Sequence, residues 1–221
     1  MAPICKICSK PTETIHDEQY GHNYYFCPDC EFIFLDESKI ITPDQEKKEY
    51  GFHQNSFDNA GYVQMLRDFI EQSVLPFKAC LKTALDFGSG PGPVLAELLR
   101  QEGLRTEIYD KHFAPDKTAL NKKYDLITAT EVLEHLKDPL TTLKHLKSLL
   151  NPKGIIAVMT LFHPNNEAEF KKWWYRRDST HIAFYTPKTF AQLAQLAGLI
   201  ILLVDKKNIC VLSLSDEINP A

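Results

Sequence analysis

The sequence predicts an α/β protein with a mostly parallel sheet that ends in an antiparallel hairpin, preceded by a small cysteine-containing N-terminal module. Three observations predict this class. Short apolar runs alternate with helical patterns from about residue 57 onward, as in a Rossmann-like domain. Two apolar runs near the C-terminus are separated only by residues 205–208, whereas a parallel crossover needs about a dozen residues or more. Four of the six cysteines lie within the first 30 residues.

Length and composition limit the possible classes of protein. A chain of 221 residues with 44% hydrophobic residues is long enough for one α/β core and a small appendage. The formal charge of −4 provides no overall basic field that would attract nucleic acid. The N-terminus lacks the apolar core of a signal peptide, and the apolar stretch 199–204 is too short to span a bilayer. We therefore expect a cytoplasmic protein without membrane contact, whose cysteines are reduced or bind metal.

Changes in composition divide the chain into three segments. Residues 1–35 carry the paired cysteines, residues 36–62 are polar and turn-rich like a linker, and residues 63–221 hold the alternating pattern. The first helix is expected to begin in the linker segment, and Asn151-Pro152 is expected to stop a later one. In chain order we expect a helix at 57–75, a strand at 83–87, a helix at 94–101, strands at 105–109 and 124–129, a helix at 139–150, a strand at 155–160, a helix from Thr186 to Gly198, and strands at 199–204 and 209–214.

The cysteine spacing predicts a metal site. Cys5-x2-Cys8 and Cys27-x2-Cys30 are separated by eighteen residues, which fits a four-thiolate zinc site built from two knuckles. Each pair places two thiolates on one tight turn, and the closed tetrahedron replaces the hydrophobic core that this segment lacks. The alternative is four unrelated buried cysteines. We predict a zinc-ribbon-like module with one zinc ion bound by all four thiolates.

A glycine-rich turn follows the first strand of the main domain. Gly88, Gly90 and Gly92 allow a tight turn and a close approach of a ligand to the backbone, and the next helix offers unpaired N–H groups. Asp110 follows the next strand, 22 residues after Gly88, where a carboxylate can accept hydrogen bonds from both hydroxyls of a ribose. A glycine turn alone is often only a tight loop. Together with Asp86 and Asp110, it favours a cofactor that contains a nucleoside.

Two segments resemble a known family. Residues 85–92, Leu-Asp-Phe-Gly-Ser-Gly-Pro-Gly, resemble the first motif of class I methyltransferases that use S-adenosylmethionine (AdoMet). Residues 124–139, YDLITATEVLEHLKDP, resemble the strand and loop of its small-molecule, ubiquinone-methylase-like group, and the likeness covers about residues 50–215. In this family the parallel sheet also ends in an antiparallel strand. The resemblance implies an AdoMet-dependent methyltransferase and assigns the following residues to the cofactor: Asp86, Gly88, Ser89, Gly90, Gly92, Asp110, Thr130 and Glu131.

The chain departs from the family pattern after Asp110. Only thirteen residues separate Asp110 from Tyr124, where members of the family often fit a helix and a strand that supplies an acidic residue to the adenine amino group. Asp116 is the nearest carboxylate in this short segment. How adenine is recognised therefore stays open.

The chemistry of methyl transfer makes a general base optional. The cofactor carries the activated methyl group, so the protein mainly orients the reactants and removes a proton if the acceptor carries one. His135 is our candidate base because an imidazole titrates near neutrality, and the resemblance places its Glu134-His135 pair beside the methyl group. The alternative is that this pair only turns the chain into the helix that begins after Asp138. His181 and Tyr185 are second candidates as proton carriers.

The insert at residues 161–185 follows a predicted strand end, the edge where open α/β sheets bind ligands. Its Lys-Lys-Trp-Trp-Tyr-Arg-Arg run at 171–177 is suited to gripping a phosphate and stacking on a ring, or it is a solvated helix face with tryptophans that cover the sheet.

Three functions are compatible with the sequence. We expect methylation of a small molecule, with a sugar nucleotide or a related phosphate-bearing metabolite as an option. One alternative is an RNA base methyltransferase whose zinc module binds RNA, against which the acidic net charge argues. The other is a non-catalytic protein that binds AdoMet or a partner. The acceptor, the atom methylated and the oligomeric state stay open.

Overall fold

The computed structural model describes residues 2–51 and 55–215. Within these ranges, no helix combines the length and the apolar character needed to cross a membrane. The strands are β1 (Glu13–Asp17), β2 (His22–Phe26), β3 (Ile33–Leu35), β4 (Thr83–Phe87), β5 (Arg105–Tyr109), β6 (Tyr124–Thr130), β7 (Leu150–Met159), β8 (Ala183–Phe184), β9 (Ile200–Val204) and β10 (Ile209–Ser213). The α-helices are α1 (Pro43–Tyr50), α2 (Ala60–Ser73), α3 (Val94–Gln101), α4 (Pro139–Ser148), α5 (Glu167–Lys172) and α6 (Pro187–Ala197).

The central sheet has six strands in the order β5-β4-β6-β7-β10-β9. The first four are parallel, and β10 runs antiparallel to both of its neighbours. The turn between β9 and β10 is fixed by Asp205, whose Oδ1 accepts N–H bonds from Lys207, Asn208 and Ile209 at 2.8–2.9 Å. A side chain that satisfies three consecutive backbone donors explains why four residues suffice for this connection. The predicted fold, a mostly parallel sheet that ends in an antiparallel hairpin, is confirmed.

Strand β7 begins earlier than the sequence predicts. Helix α4 ends at Ser148, and β7 starts at Leu150, so Asn151-Pro152 lies inside the strand and not at a helix stop. The pairing of β6 with β7 is irregular here, because Leu150 pairs with Tyr124 but the next pair joins Ile155 to Leu126. Proline has no N–H group to donate to a ladder. Pro152 lies in the irregular stretch, where no such hydrogen bond is needed from it.

The segment predicted as a linker contains α1. Thr42 caps this helix in a capping box with Gln45, and Pro43 occupies the first turn, which are strong start signals for a helix. Asn59 then caps α2, which covers most of the helix expected at 57–75. The division of the chain into domains stays a prediction.

The N-terminal module shares a sheet with the insert. Strands β1, β2 and β3 form an antiparallel unit, and β8 of the insert pairs with β3 through Ile33 to Phe184 and Phe34 to Ala183. Arg176 of the insert also makes a buried ion pair with Asp17 of the module. The module therefore packs on the main domain through a continuous sheet and a common core.

Candidate active site and cysteine cluster

The glycine turn after β4 requires glycine at each of its three positions. Gly88 and Gly90 have φ of 82° and 66°, in the left-handed region that residues with a Cβ rarely adopt. A Cβ on Gly88 would lie 2.3 Å from Val132 Cγ2, and one on Gly92 would lie 1.8 Å from the carbonyl oxygen of Asn55. The chain thus approaches this turn from two sides.

Asp110 lies against the glycine turn, as the sequence predicts. Its Oδ2 accepts the N–H of Gly90 at 3.0 Å, and its Oδ1 accepts the N–H groups of His112 and Phe113 at 2.7 and 3.0 Å. A carboxylate offers about four lone-pair sites, so a ribose hydroxyl finds acceptor capacity mainly at Oδ2. Asp110 therefore also organises the loop that follows β5.

Asp86 and Ser89 are buried polar groups beside the same turn. Asp86 accepts a hydrogen bond from Thr128 Oγ1 at 3.0 Å, and its burial, more than this bond, sets its pKa, which is raised to about 7. The Ser89 hydroxyl has no hydrogen-bond partner among the described residues. Tyr62 of α2 has its pKa raised to about 12 by burial and by the charges of Asp86 and Glu131. A cationic ligand here would stabilise the ionised form of Asp86.

Side chains of helix α1 contact both the loop after β5 and His135, the candidate base. Glu46 accepts hydrogen bonds from Lys111 Nζ at 2.7 Å and from the Tyr50 hydroxyl at 2.9 Å. The Tyr50 ring in turn packs edge-on against His135, with ring centroids 5.2 Å apart. Sequence reasoning missed these contacts because it treated this stretch as a linker.

His135 follows β6 in a short helical turn, Leu133–His135. Its Nδ1 lies 2.9 Å from the carbonyl oxygen of Thr180. A carbonyl only accepts hydrogen bonds, so Nδ1 carries the proton and Nε2 keeps its lone pair in the neutral ring. Burial lowers the pKa of the imidazole below its usual value, so the ring is neutral at pH 7.

His181 is oriented in the same way. Its Nδ1 lies 2.7 Å from the carbonyl oxygen of Tyr175, and its ring is centred 4.9 Å from that of His135. One carboxylate oxygen of Glu134 and one ring nitrogen of each histidine lie within 4.8 Å of one another. The structure thus brings together two of the three residues that the sequence proposed as proton carriers.

A buried carboxyl pair adjoins the histidines. The Tyr175 hydroxyl contacts Glu134 and lies 2.9 Å from Glu131 Oε2. Burial raises the pKa of both carboxyl groups, and the charge of Glu134 raises that of Glu131 further. Glu131 has a φ of 52°, a strained value for a residue with a side chain. Sequence reasoning missed Tyr175 as a site residue, because its only signal was the aromatic run of the insert.

Two further predicted residues, Thr130 and Tyr185, and the Asp116 carboxylate of the short segment after β5 have different contacts. Thr130 ends β6 and pairs with Met159 of β7, next to Glu131. Tyr185 is fully buried and donates its hydroxyl to the carbonyl oxygen of Leu133 at 2.7 Å. Asp116 is exposed and caps the short helix Lys117–Asn121 through the N–H of Thr118. Neither Tyr185 nor Asp116 belongs to the pair of packed rings formed by His135 and His181.

The four paired cysteines converge. The Sγ atoms of Cys5 and Cys30 lie 3.6 Å apart, and those of Cys8 and Cys27 lie 3.4 Å apart. All four lie within 4.8 Å of one another. Tetrahedral zinc with Zn–S bonds of about 2.3 Å requires sulfur separations of about 3.8 Å.

The two cysteine turns share one backbone pattern. The N–H of Ser9 bonds to the carbonyl of Cys5, and the N–H of Glu31 bonds to that of Cys27. Ser9 and Glu31 each follow the second cysteine of a pair and have φ of 59° and 60°. The repeated geometry fits two zinc knuckles, and its thiolate donors suit zinc.

The basic aromatic run of the insert serves partly as structure. Arg176 is buried against Asp17, and Lys171 pairs with Glu167 at 2.7 Å. Trp173 is half-buried, whereas Trp174 is 64% exposed. Only part of this run therefore remains for a ligand.

A family profile described as methyltransferase domain matches residues 60–204. The chain belongs to this methyltransferase family. It is similar to the ubiquinone biosynthesis O-methyltransferase of Histophilus somni, with 30% identity over 100 residues that cover 43% of this chain and 40% of the relative. The corresponding Aeromonas salmonicida protein is 23% identical over 128 residues, which cover 54% of this chain and 53% of the relative. The chain thus matches about half or less of each relative's length.

Two solved structures share the fold of this methyltransferase. An O-methyltransferase family protein from Burkholderia thailandensis gives a TM-score of 0.56 at 16% identity, covering 78% of this chain and 63% of its own. Magnesium protoporphyrin IX methyltransferase from Synechocystis PCC 6803, solved with bound S-adenosylhomocysteine (SAH), gives a TM-score of 0.55 at 16% identity, covering 78% of this chain and 94% of its own. At this identity the likeness concerns the fold alone.

Proposed function

We propose that this methyltransferase transfers a methyl group from AdoMet to a hydroxyl of a small molecule. The observation that carries the proposal is the position of His135, a buried neutral imidazole with its Nε2 lone pair, after β6 and on the sheet edge that bears the glycine turn. A base of this kind suits an acceptor that starts protonated. The O-methyltransferases among the relatives support a hydroxyl acceptor.

The residues around the glycine turn fit AdoMet. The backbone from Gly88 to Gly92 lines the cofactor, Asp110 Oδ2 accepts a ribose hydroxyl, and the unpartnered Ser89 hydroxyl offers a further bond. Asp86 provides a carboxylate that a positively charged ligand stabilises. When bound, AdoMet supplies an activated methyl group on a sulfonium.

The protein's own residues then manage the proton. His135 Nε2 would take the proton of the acceptor hydroxyl as the new oxygen–methyl bond forms and the methyl–sulfur bond breaks, so that the products would be a methyl ether, S-adenosylhomocysteine and an imidazolium. The carbonyl of Thr180 keeps its bond to Nδ1, and the charges of Asp178 and Glu46 favour the protonated ring. The ring of His181 packs beside the ring of His135.

A sugar nucleotide or related phosphate-bearing metabolite is our proposed class of acceptor. Lys172 and Trp174 are exposed on the insert, which supports a ligand with a charge and a ring. RNA is less well supported, since Arg176 and Lys171 are engaged by acidic side chains. Methyl transfer by the purified protein would exclude the non-catalytic alternative.

We also propose that the cysteine cluster holds structural zinc. Four thiolates complete a tetrahedral shell and leave no position for substrate. The metal would therefore stabilise the module without taking part in methyl transfer.

Calorimetric titration with AdoMet tests the cofactor site. We expect Asp110→Ala to weaken binding by about 1.5–3 kcal/mol, because a hydrogen bond to a charged group is lost. Since Asp110 also accepts three backbone N–H bonds, Asp110→Asn is the variant that best preserves the loop, and Asp116→Asn is the exposed control. An unchanged dissociation constant for folded Asp110→Asn would mean that the ribose binds elsewhere.

A further inference from the structure

A cavity lies where the N-terminal module, the insert and the β9–β10 turn meet. Its volume is about 630 Å³, within the range of small-molecule sites. The glycine turn does not line it, so it is distinct from the cofactor site. Its walls include Glu31, His163, Lys172, Trp173, Trp174 and Lys206.

The walls of this cavity are held in place by backbone hydrogen bonds. The N–H of Phe162 bonds to the carbonyl of Lys207, and the N–H of His163 bonds to that of Tyr185. Lys206 lies in the turn that Asp205 orders. These bonds tie the start of the insert to the β9–β10 turn and to Tyr185, which precedes the N-cap of α6.

His163 supplies a buried acceptor in the wall. Its ring is only 4% exposed, and its Nε2 lies 2.7 Å from the carbonyl oxygen of Glu31. That carbonyl fixes the proton on Nε2, so Nδ1 has a lone pair, and it has no partner within the described residues. Buried polar atoms are normally paired, and this one is shielded from solvent in the wall of the cavity.

The rest of the wall combines rings with two lysines, and its two carboxylates, Glu31 and Glu169, are paired with Lys188 and Lys172. Trp174 presents a ring that is 64% exposed, an unusual state for so large an apolar surface. Lys172 lies 4.0 Å from Glu169, and Lys206 is exposed. The capped N-terminus of α6, at Thr186 and Pro187, adds a partial positive charge.

A row of packed rings lies between this cavity and His135. Trp173 in its wall is centred 5.1 Å from Tyr175, and Tyr175 is centred 4.1 Å from His181, the neighbour of His135. Two buried side chains, Tyr175 and His181, thus separate the Trp173 wall of the cavity from His135.

We propose that this cavity binds the remote end of the acceptor, an aromatic ring that bears a phosphate or carboxylate. The ring stacks on Trp174, and the anion lies between Lys172 and Lys206. The assignment of the ligand as the acceptor rests on the proposed function, whereas binding of the aromatic anion can be measured separately.

Tryptophan fluorescence reports on this cavity alone. The chain has only two tryptophans, Trp173 and Trp174, and both line the cavity. We expect phenyl phosphate to change the emission saturably and to bind more tightly than inorganic phosphate or phenol, each of which supplies half of the contacts. Benzoate in place of phenyl phosphate shows which anion is preferred.

Lys206→Ala should weaken phenyl phosphate binding by about two- to fivefold, the effect of losing one exposed cation. Lys153→Ala, at an exposed position near the start of β7, should bind like the wild type. No saturable change, or equal binding by Lys206→Ala and wild type, overturns the proposal.

Calorimetry with AdoMet on the same sample separates this inference from the proposed function. We expect saturating phenyl phosphate to leave AdoMet affinity unchanged, and displacement of AdoMet would place the probe in the cofactor site and overturn the inference. If AdoMet binds and phenyl phosphate does not, only the cavity assignment fails. If phenyl phosphate binds and AdoMet does not, the proposed function fails.

Discussion

Replacing His135 by glutamine gives the most direct test of the proposed mechanism. A glutamine side chain can still donate an N–H to the carbonyl of Thr180, the bond that His135 Nδ1 makes at 2.9 Å, but it offers no basic lone pair at neutral pH. We expect turnover to fall by about 10²–10⁴-fold, the usual contribution of a general base. AdoMet affinity should change little, because the cofactor is held at the glycine turn.

The pH profile adds a second readout. Burial holds the His135 pKa below the ordinary value of about 6.5. The charges of Asp178 and Glu46 oppose this lowering, and that of Lys111 assists it. Wild-type kcat/KM should therefore rise with pH through a limb below pH 6.5 and level off near neutrality, and the variant should lose this limb.

The same pKa difference links His135 to stability. The pKa of His135 is lower in the folded state than in the unfolded state. The contribution of the neutral ring to the free energy of unfolding is therefore complete above the unfolded-state pKa of about 6.5, and it is lost as the pH falls through the folded-state pKa. The glutamine variant should therefore lose less stability in mild acid than the wild type. Chemical denaturation at several pH values measures this difference.

The assay follows SAH formation with an acceptor found by screening a metabolite pool with labelled AdoMet. His145→Gln, on an exposed face of α4, is the matched control. Wild-type-like turnover by folded His135→Gln would refute the base assignment and direct the search to His181. If His181 is also dispensable, proximity of the two reactants alone accounts for the rate.

Two further predictions concern the N-terminal module. Elemental analysis should find one zinc per chain, and Cys27→Ser should lose it and become sensitive to proteolysis within residues 1–35; near-zero zinc in the wild type, with unchanged proteolytic resistance after chelation, would contradict the site. Arg176→Leu should reduce the free energy of unfolding by about 3–5 kcal/mol, because it leaves buried Asp17 without its partner. Denaturant unfolding measures this loss, and exposed Arg177→Leu is its control.

Local signals made much of the sheet predictable. The bounds of β4, α3 and β5 match the prediction because apolar runs and turn glycines specify them within a few residues. Strand β7 was mispredicted at its start because proline normally breaks a ladder. The irregular pairing with β6 that tolerates Pro152 arises between distant strands, so no local pattern reveals it.

The site was predictable only where its residues adjoin a motif. Gly88 and Asp110 meet because their strands are neighbours in a parallel sheet, which the βαβ pattern implies. Tyr175 reaches Glu134 across 41 residues of sequence, and Lys111 reaches Glu46 across 65. Those contacts depend on how the insert and α1 fold back over the sheet, and neither segment carries a motif that fixes its direction.

The insert links the N-terminal module to the residues that orient His135 and His181. Thr180 and Tyr175 supply the carbonyls that orient His135 and His181, and their neighbour Arg176 is anchored to Asp17 of the module. Strand β8, which follows directly, pairs with β3 of the same module. The segment that sets the tautomer of the proposed base is thus fixed by the cysteine module. A metal ion held by the four cysteines would therefore affect the base only by stabilising this module, without contact to either reactant.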